Sequence, residues 1–193
     1  MPAAIYLNLF SYSIFPAIIT LLVVNISLEE RMVNELNGHP AYTGLRCRVD
    51  KTGGYSVWLP SDWHETKLKR NHRGFLASPF ADDINTSLLV EKKMLKVKTT
   101  RDDMDILREA FQQDIRSLPG VEIELFDESL SNTINLFDAR FSFLEGETRR
   151  KRWVRNVYWA NAQLVIIAQG KTPEDFEYWL PMFFNAITTI QIS

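Results

Sequence analysis

The segment Arg149–Arg155 concentrates the residue types best suited to binding chemistry. It places five cations within seven residues, and aromatic side chains lie in or beside it. Such a cluster can bind phosphate, an acidic protein surface or anionic lipid headgroups. We call it the basic segment, and its candidate partner-binding residues are Arg149, Arg150, Lys151, Arg152, Trp153 and Arg155.

A structural role for the basic segment is the alternative interpretation. A turn at residues 145–148 predicts a hairpin whose second arm contains the basic segment. In one register, cations of one arm lie opposite a carboxylate and an aromatic ring of the other, which gives an ion pair and a cation–π contact. That register pairs Leu144 with Arg149, Asp138 with Arg155, and Arg140 with Trp153.

The remaining residues give no spacing that is typical of a catalytic or metal site. His39, His64 and His72 do not follow a metal-binding pattern, and Cys47 is the only cysteine. The sequence contains no P-loop, nucleophile elbow or dinucleotide-binding glycine motif. We therefore predict no enzyme activity and no cofactor or metal. The formal net charge of −2 predicts no general affinity for nucleic acid.

The N-terminal region differs from the rest of the chain. Residues 3–24 carry no charged side chain, and at about 1.5 Å per residue they are long enough to cross a hydrocarbon core of roughly 30 Å. A basic start and a clear cleavage site, both typical of signal peptides, are missing. We predict a membrane anchor over residues 1–25. Two alternatives stay open: translation begins at Met32 and the protein is cytoplasmic, or the stretch is a buried or partner-binding helix.

The chain divides into three predicted regions. After residues 1–25, residues 26–52 contain a short helix and a linker. Ser27 and Glu30 have capping-box spacing for that helix, and Gly38 and Pro40 end it. We assign residues 37–50 to the linker and residues 53–193 to the folded domain.

The folded domain has the pattern of an α+β protein. β-branched and alternating segments predict short strands, and apolar side chains at helical spacing predict two amphipathic helices, capped by Thr100 and Thr172. We interpret the apolar stripes of both helices as core that covers an antiparallel sheet. The predicted strands are 55–59, 74–77, 87–90, 121–125, 138–143, 149–159 and 163–169.

The domain resembles the Mog1/PsbP-like superfamily over about residues 53–192. The resemblance rests on the opening strand with Pro60 and Trp63, the helix ending at Leu118-Pro119-Gly120, the hairpin at Glu145-Gly146, and the Phe-rich last helix. It implies an α/β/α sandwich and non-enzymatic work, as in photosystem accessory subunits, a nuclear transport factor, envelope lipoproteins and effector chaperones. It carries no shared catalytic residues.

These observations predict a non-catalytic binding module with a protein partner. The preferred hypothesis is an accessory or assembly subunit of a larger complex, associated with a membrane through residues 3–24. The alternative is a soluble chaperone or regulatory binder of a protein client.

Overall fold

The computed structural model describes residue 40, residues 43–69 and residues 72–192. The predicted anchor at residues 1–25 and the short helix after Ser27 lie outside these residues. Within the described part of the chain, the helices are too short or too polar to span a bilayer.

Two helices and ten strands make up the described domain. The helices are α1 (Met104–Arg116), which follows a 3-10 turn at Arg101–Asp103, and α2 (Pro173–Thr188). The strands, in chain order, are β1 (Leu45–Asp50), β2 (Tyr55–Pro60), β3 (His64–Lys67), β4 (Arg73–Ser78), β5 (Ser87–Met94), β6 (Glu122–Leu130), β7 (Asn135–Glu145), β8 (Thr148–Trp159), β9 (Ala162–Gly170) and β10 (Gln191–Ile192).

The strands form two antiparallel sheets. Seven of them build the larger sheet in the order β3-β4-β5-β9-β8-β7-β6, and β1, β2 and β10 build the smaller one with β2 in the middle. Between β8 and β9 the chain turns at Ala160, whose φ of 47° is the left-handed conformation predicted for this turn. The connections β6–β7, β7–β8 and β8–β9 are all short hairpins between neighbouring strands.

Each face of the larger sheet is covered by one helix. α1 buries Met104, Phe111 and Ile115 against β7 and β8, and α2 buries Phe176 and Phe183 on the opposite face in a core shared with the smaller sheet. The predicted α+β class and the α/β/α arrangement are confirmed. The apolar stripes of the two helices are core, as the sequence indicated.

The N-terminal caps of both long helical segments follow the sequence pattern. The Thr100 hydroxyl and backbone N–H both donate to the Asp103 carboxylate, at 2.7 and 2.8 Å. Thr172 accepts a hydrogen bond from the Asp175 N–H at 3.2 Å, and Pro173 occupies the first helical turn, where its missing N–H has no helical partner to lose.

β1 differs from the predicted linker. Residues 45–50 pair along their whole length with β2, so the folded domain begins before residue 53. The side chains that turn toward the protein are charged: Arg46 and Arg48 contact Glu65 at 2.6 and 2.8 Å, whereas Val49 is 60% exposed. A strand whose inward side chains are charged lacks the apolar alternation by which strands are recognised.

The hairpin of β7 and β8 has the predicted register. Leu144 pairs with Arg149, and the two further pairs follow from it. The Arg140 guanidinium lies 4.8 Å from the centre of the Trp153 ring.

The buried Asp138 carboxylate accepts hydrogen bonds from Trp153 Nε1 at 2.7 Å and from Arg155 Nε at 3.0 Å, and also contacts Arg155 Nη2. Arg155 Nη1 donates to the Ile187 carbonyl of α2 at 3.1 Å. The ion pair therefore connects the hairpin to the C-terminal end of α2.

Replacing Asp138 with alanine is expected to lower the free energy of unfolding by about 3–5 kcal/mol, because it leaves a largely buried guanidinium without its carboxylate. Urea unfolding of the full chain measures the change. Asp127→Ala is the matched control, since Asp127 is the exposed cross-strand neighbour of Asp138 on β6. That variant should stay within about 0.5 kcal/mol of the original protein. Similar losses in both variants would contradict the assigned role.

Candidate functional site

The basic segment does not form a single surface. Successive side chains of β8 point to opposite faces of the sheet, so Arg150 and Arg152 lie on the α1 face and the other four lie on the α2 face. Lys151 and Trp153 are buried, and Arg149, Arg150, Arg152 and Arg155 are partly buried. That these six residues contact a partner directly stays a prediction.

The cations on the α2 face are engaged by carboxylates. Arg149 Nη2 lies 3.0 Å from Glu122, and Lys151 Nζ lies 2.7 Å from Glu124 and 2.6 Å from Glu177 on α2. Burial acts to lower the pKa of Lys151, but the hydrogen bonds that its ammonium donates to both glutamates outweigh it and raise the pKa above its ordinary value. Lys151 therefore serves as a charged link between β6 and α2.

The two arginines on the α1 face hold the loop of residues 79–86. Arg150 Nη2 donates to the Asn85 side-chain oxygen at 2.9 Å. Arg152 Nε donates to Gln169 Oε1 at 2.5 Å, and Gln169 Nε2 donates to the Asn85 carbonyl at 3.1 Å. Arg150 thus binds Asn85 directly and Arg152 binds it through Gln169. Asn85 lies 65 residues from Arg150 in the chain. We call residues 79–86 the docking loop.

Internal hydrogen bonds give the docking loop a defined shape. The buried Ser78 hydroxyl lies 2.6 Å from the Asp83 carbonyl and 2.9 Å from the Thr86 carbonyl, and it accepts a hydrogen bond from the Phe80 N–H. The Asp83 carboxylate accepts from the Asn85 N–H at 2.9 Å. The loop is therefore fixed at its base and within its turn.

Aromatic side chains form a continuous path from the core to this loop. The ring of Phe183 in the core contacts Trp63 edge to face, Trp63 contacts Trp179, and Trp179 contacts Phe80 of the docking loop, with centroid distances of 5.8, 5.8 and 6.1 Å. Tyr178 contacts Trp179 at 5.2 Å. Phe80, Ile84 and Tyr178 are 46%, 58% and 39% exposed. We call this surface the aromatic end, and its members are Phe80, Ile84, Tyr178 and Trp179.

An open cleft of about 570 Å³ adjoins the aromatic end and carries negative charge. The backbone hydrogen bond from Asn85 lowers the pKa of Asp83 and so favours its carboxylate form. Lys171 is the one cation of the lining. The lining residues are Pro79, Phe80, Ala81, Asp82, Asp83, Thr86, Lys171 and Asp175.

The histidines and the cysteine do not assemble into a site in the part of the chain that is described. His64 lies in the exposed edge strand β3, and His72 contacts Glu91 of β5. Cys47 is exposed on β1. Across residues 43–69 and 72–192, no group of three histidine, cysteine or acidic side chains is placed to hold a metal ion.

Sequence reasoning did not identify the aromatic end. Phe80 and Ile84 lie in a segment that the sequence marks only as a loop between two strands. Two features of the sequence could have indicated this surface. One is the pair of large apolar residues within a polar loop, and the other is Trp63, three residues after the proline that ends β2. Contacts between distant parts of the chain bring these residues together, and a local sequence pattern does not predict such contacts.

No protein-family model matches this sequence, and no curated protein matches it. Several solved structures do match it in fold. Cyanobacterial PsbP (CyanoP) from Synechocystis sp. PCC 6803 aligns with 12% identity over 77% of this chain and 92% of its own, with a TM-score of 0.56. LpqN of Mycobacterium tuberculosis, which is involved in cell envelope biogenesis, aligns with 13% identity over 78% of this chain and 91% of its own, with a TM-score of 0.54.

Identities this low establish the fold alone. The chain has the PsbP-like α+β fold that the sequence resemblance predicted, and the alignments cover 92% and 91% of the two matched structures.

Replacing Arg150 with glutamine should loosen the docking loop without unfolding the domain. Loss of the bond to Asn85, worth about 1 kcal/mol, should speed amide exchange at Phe80 and Asn85 about fivefold. Hydrogen exchange followed by NMR measures it. Arg149→Gln on the same strand is the control, because its bonds go to Ser142 and Glu122 instead. Equal protection of the loop in both variants would show that Arg150 does not hold it.

Proposed function

We propose that this protein is a non-catalytic accessory or assembly subunit that docks onto a larger protein complex through its aromatic end. The observation that carries the proposal is the exposure of Phe80 and Ile84 on a loop that hydrogen bonds hold in place. Aromatic residues dominate the energetics of protein interfaces. A loop that is already ordered loses little conformational entropy on binding, which favours affinity.

The fold supports a binding role. The PsbP-like resemblance implies accessory, non-enzymatic work, and the fold is shared with cyanobacterial PsbP and LpqN. The cations of the basic segment support it as well, because they connect strands, helix and docking loop through hydrogen bonds and ion pairs. They build the scaffold that presents the aromatic end.

The charge around the aromatic end defines the chemistry of the partner. Three carboxylates and one ammonium line the adjoining cleft, so the surface favours a partner with positive charge. The partner surface is therefore an apolar side chain flanked by lysine or arginine. Since these charges are partly or fully exposed to solvent, the association should weaken as the salt concentration rises.

Membrane association through residues 3–24 is the second part of the proposal. The length and the lack of charge of that stretch support it. Such an anchor would hold the domain at the bilayer surface and raise the effective concentration of a membrane-bound complex.

The double substitution Phe80→Ser with Ile84→Ser should release the protein from its complex. Removing two interface anchors should weaken the association at least about tenfold. The measurement is the apparent size, on a native gel, of the tagged full chain in detergent extracts of its own cells. Ile106→Ser is the control, because Ile106 is 70% exposed on α1, away from the aromatic end. If the double variant stays in the complex, docking occurs elsewhere.

Cell fractionation tests the membrane attachment. We expect the full chain to sediment with membranes, to resist an alkaline wash and to dissolve in detergent. A chain that starts at Met32 should stay in the supernatant. A full chain that is soluble without detergent would exclude the anchor, and recovery of a single hydrophobic or acidic client with it would favour the chaperone alternative.

A further inference from the structure

A second cleft lies on the opposite side of the larger sheet, between α1 and the strands beneath it. Its volume is about 270 Å³, just below the roughly 300–1,000 Å³ typical of ligand pockets. α1 contributes one apolar wall, and the middle of the floor consists of apolar side chains of β7, β8 and β9. The apolar lining residues are Phe111, Ile115, Leu118, Phe141, Val154 and Val165.

Polar side chains lie at the two ends of this floor. Arg152 marks one end, and Asn156 lies four residues further along β8 on the same face, about 13 Å away between Cα atoms. Lys93 and Gln163 are cross-strand neighbours and lie at the Asn156 end. Asp114 of α1 also lines the cleft and is exposed.

Asn156 is an unpaired amide in the floor of the cleft. The residue is only 7% exposed, and its side-chain oxygen is buried without a hydrogen-bond partner among the residues that the structure describes. Leaving such a group unpaired costs about 1–3 kcal/mol. Because that oxygen is enclosed by protein, the atom of the amide that faces a ligand is Nδ2, which makes no hydrogen bond within the described residues and can donate to an acceptor in the cleft.

Arg152 also has unused binding capacity. Its Nε donates to Gln169, and its side chain lies over the Phe143 ring at 4.4 Å, but within the described domain its two terminal nitrogens have no hydrogen bond. Burial lowers the pKa of Arg152, which reports that its cation is poorly solvated. A carboxylate is the ligand that fits this geometry, because the two terminal N–H groups of a guanidinium match its two oxygens.

We propose that this cleft binds an elongated organic carboxylate with a flat apolar body and a hydroxyl group at its far end. The carboxylate pairs with the terminal nitrogens of Arg152. The apolar body lies on Val154 between the two polar ends, against the wall formed by α1. The hydroxyl oxygen accepts a hydrogen bond from Asn156 Nδ2.

Three probes of nearly equal size test each part of the proposal on the full chain. They are 3-(4-hydroxyphenyl)propionate, 3-phenylpropionate, which lacks the hydroxyl, and 3-(4-hydroxyphenyl)propanamide, which lacks the charge. Dissociation constants come from chemical-shift titration of the backbone amides. The first probe should bind with shifts at Val154 and Asn156. The other two should bind about tenfold more weakly, because each loses one of the two polar contacts at the ends of the cleft.

Asn156→Leu separates binding from stability. The substitution removes an unpaired buried amide, so the melting temperature should stay equal or rise, while the affinity for the hydroxylated carboxylate should fall to that of 3-phenylpropionate. Arg152→Met should abolish the preference for the charged probe over the amide. Arg149→Met on the same strand is its control, because Arg149 lies on the other face of the sheet.

Three results would overturn the proposal. One is the absence of saturable shifts in the cleft at probe concentrations up to about 10 mM. Another is equal affinity for the charged and the neutral probes, and the third is full affinity for the hydroxylated probe in Asn156→Leu. The first would indicate a cleft that holds water only, and the other two would indicate that ligands bind there without the contacts assigned to Arg152 and Asn156. None bears on docking through the aromatic end, which lies elsewhere on the domain.

Discussion

The Asp138 carboxylate lies on the face of the larger sheet that α2 covers, where Trp153 and Arg155 of the neighbouring strand donate hydrogen bonds to it. Because the side-chain period of a strand is two, a slip of one residue would place this carboxylate on the opposite face and leave Arg155 unpaired inside the protein. The ion pair therefore stabilises one register of the hairpin. Arg150 and Arg152 lie on the same strand as Arg155 but face α1, and they hold Asn85 directly and through Gln169. The strand β8 thus carries the ion pair on one face of the sheet and the contacts to the docking loop on the other.

Most of the fold was readable from the sequence because its signals are local. The caps at Thr100 and Thr172, the apolar stripes of both helices and the turn at Ala160 each lie within a few residues of the structure that they specify. The register of the β7–β8 hairpin was also predictable. A short turn leaves few ways to pair the two arms, and only some of these place opposite charges across from each other. β1 was not, because its arginines face Glu65, 17 residues from Arg48, and a charged inner face hides the strand pattern.

The candidate sites were predictable only in part, for the same physical reason. The basic segment was visible as composition, but the destination of each cation depends on strand alternation and on carboxylates as distant as Glu177. The aromatic end and the buried ring behind it bring Trp63, Phe80 and Trp179 together from three separate parts of the chain. The cleft beneath α1 depends on an unpaired amide, and nothing in the sequence around Asn156 distinguishes it from an exposed asparagine. Charges that look like a contact surface in the sequence are here largely engaged in internal contacts.

The path of edge-to-face rings from Phe183 to Phe80 also has an optical consequence. Two indoles in edge-to-face contact couple their electronic transitions, so Trp63 and Trp179 should contribute a strong near-ultraviolet circular dichroism band that depends on their mutual orientation. Trp179 is partly exposed and Trp63 is almost fully buried, so contact at this end of the domain would change the polarity around one indole and spare the other. The protein thus carries its own spectroscopic reporter, and occupancy of this surface can be followed without an attached dye.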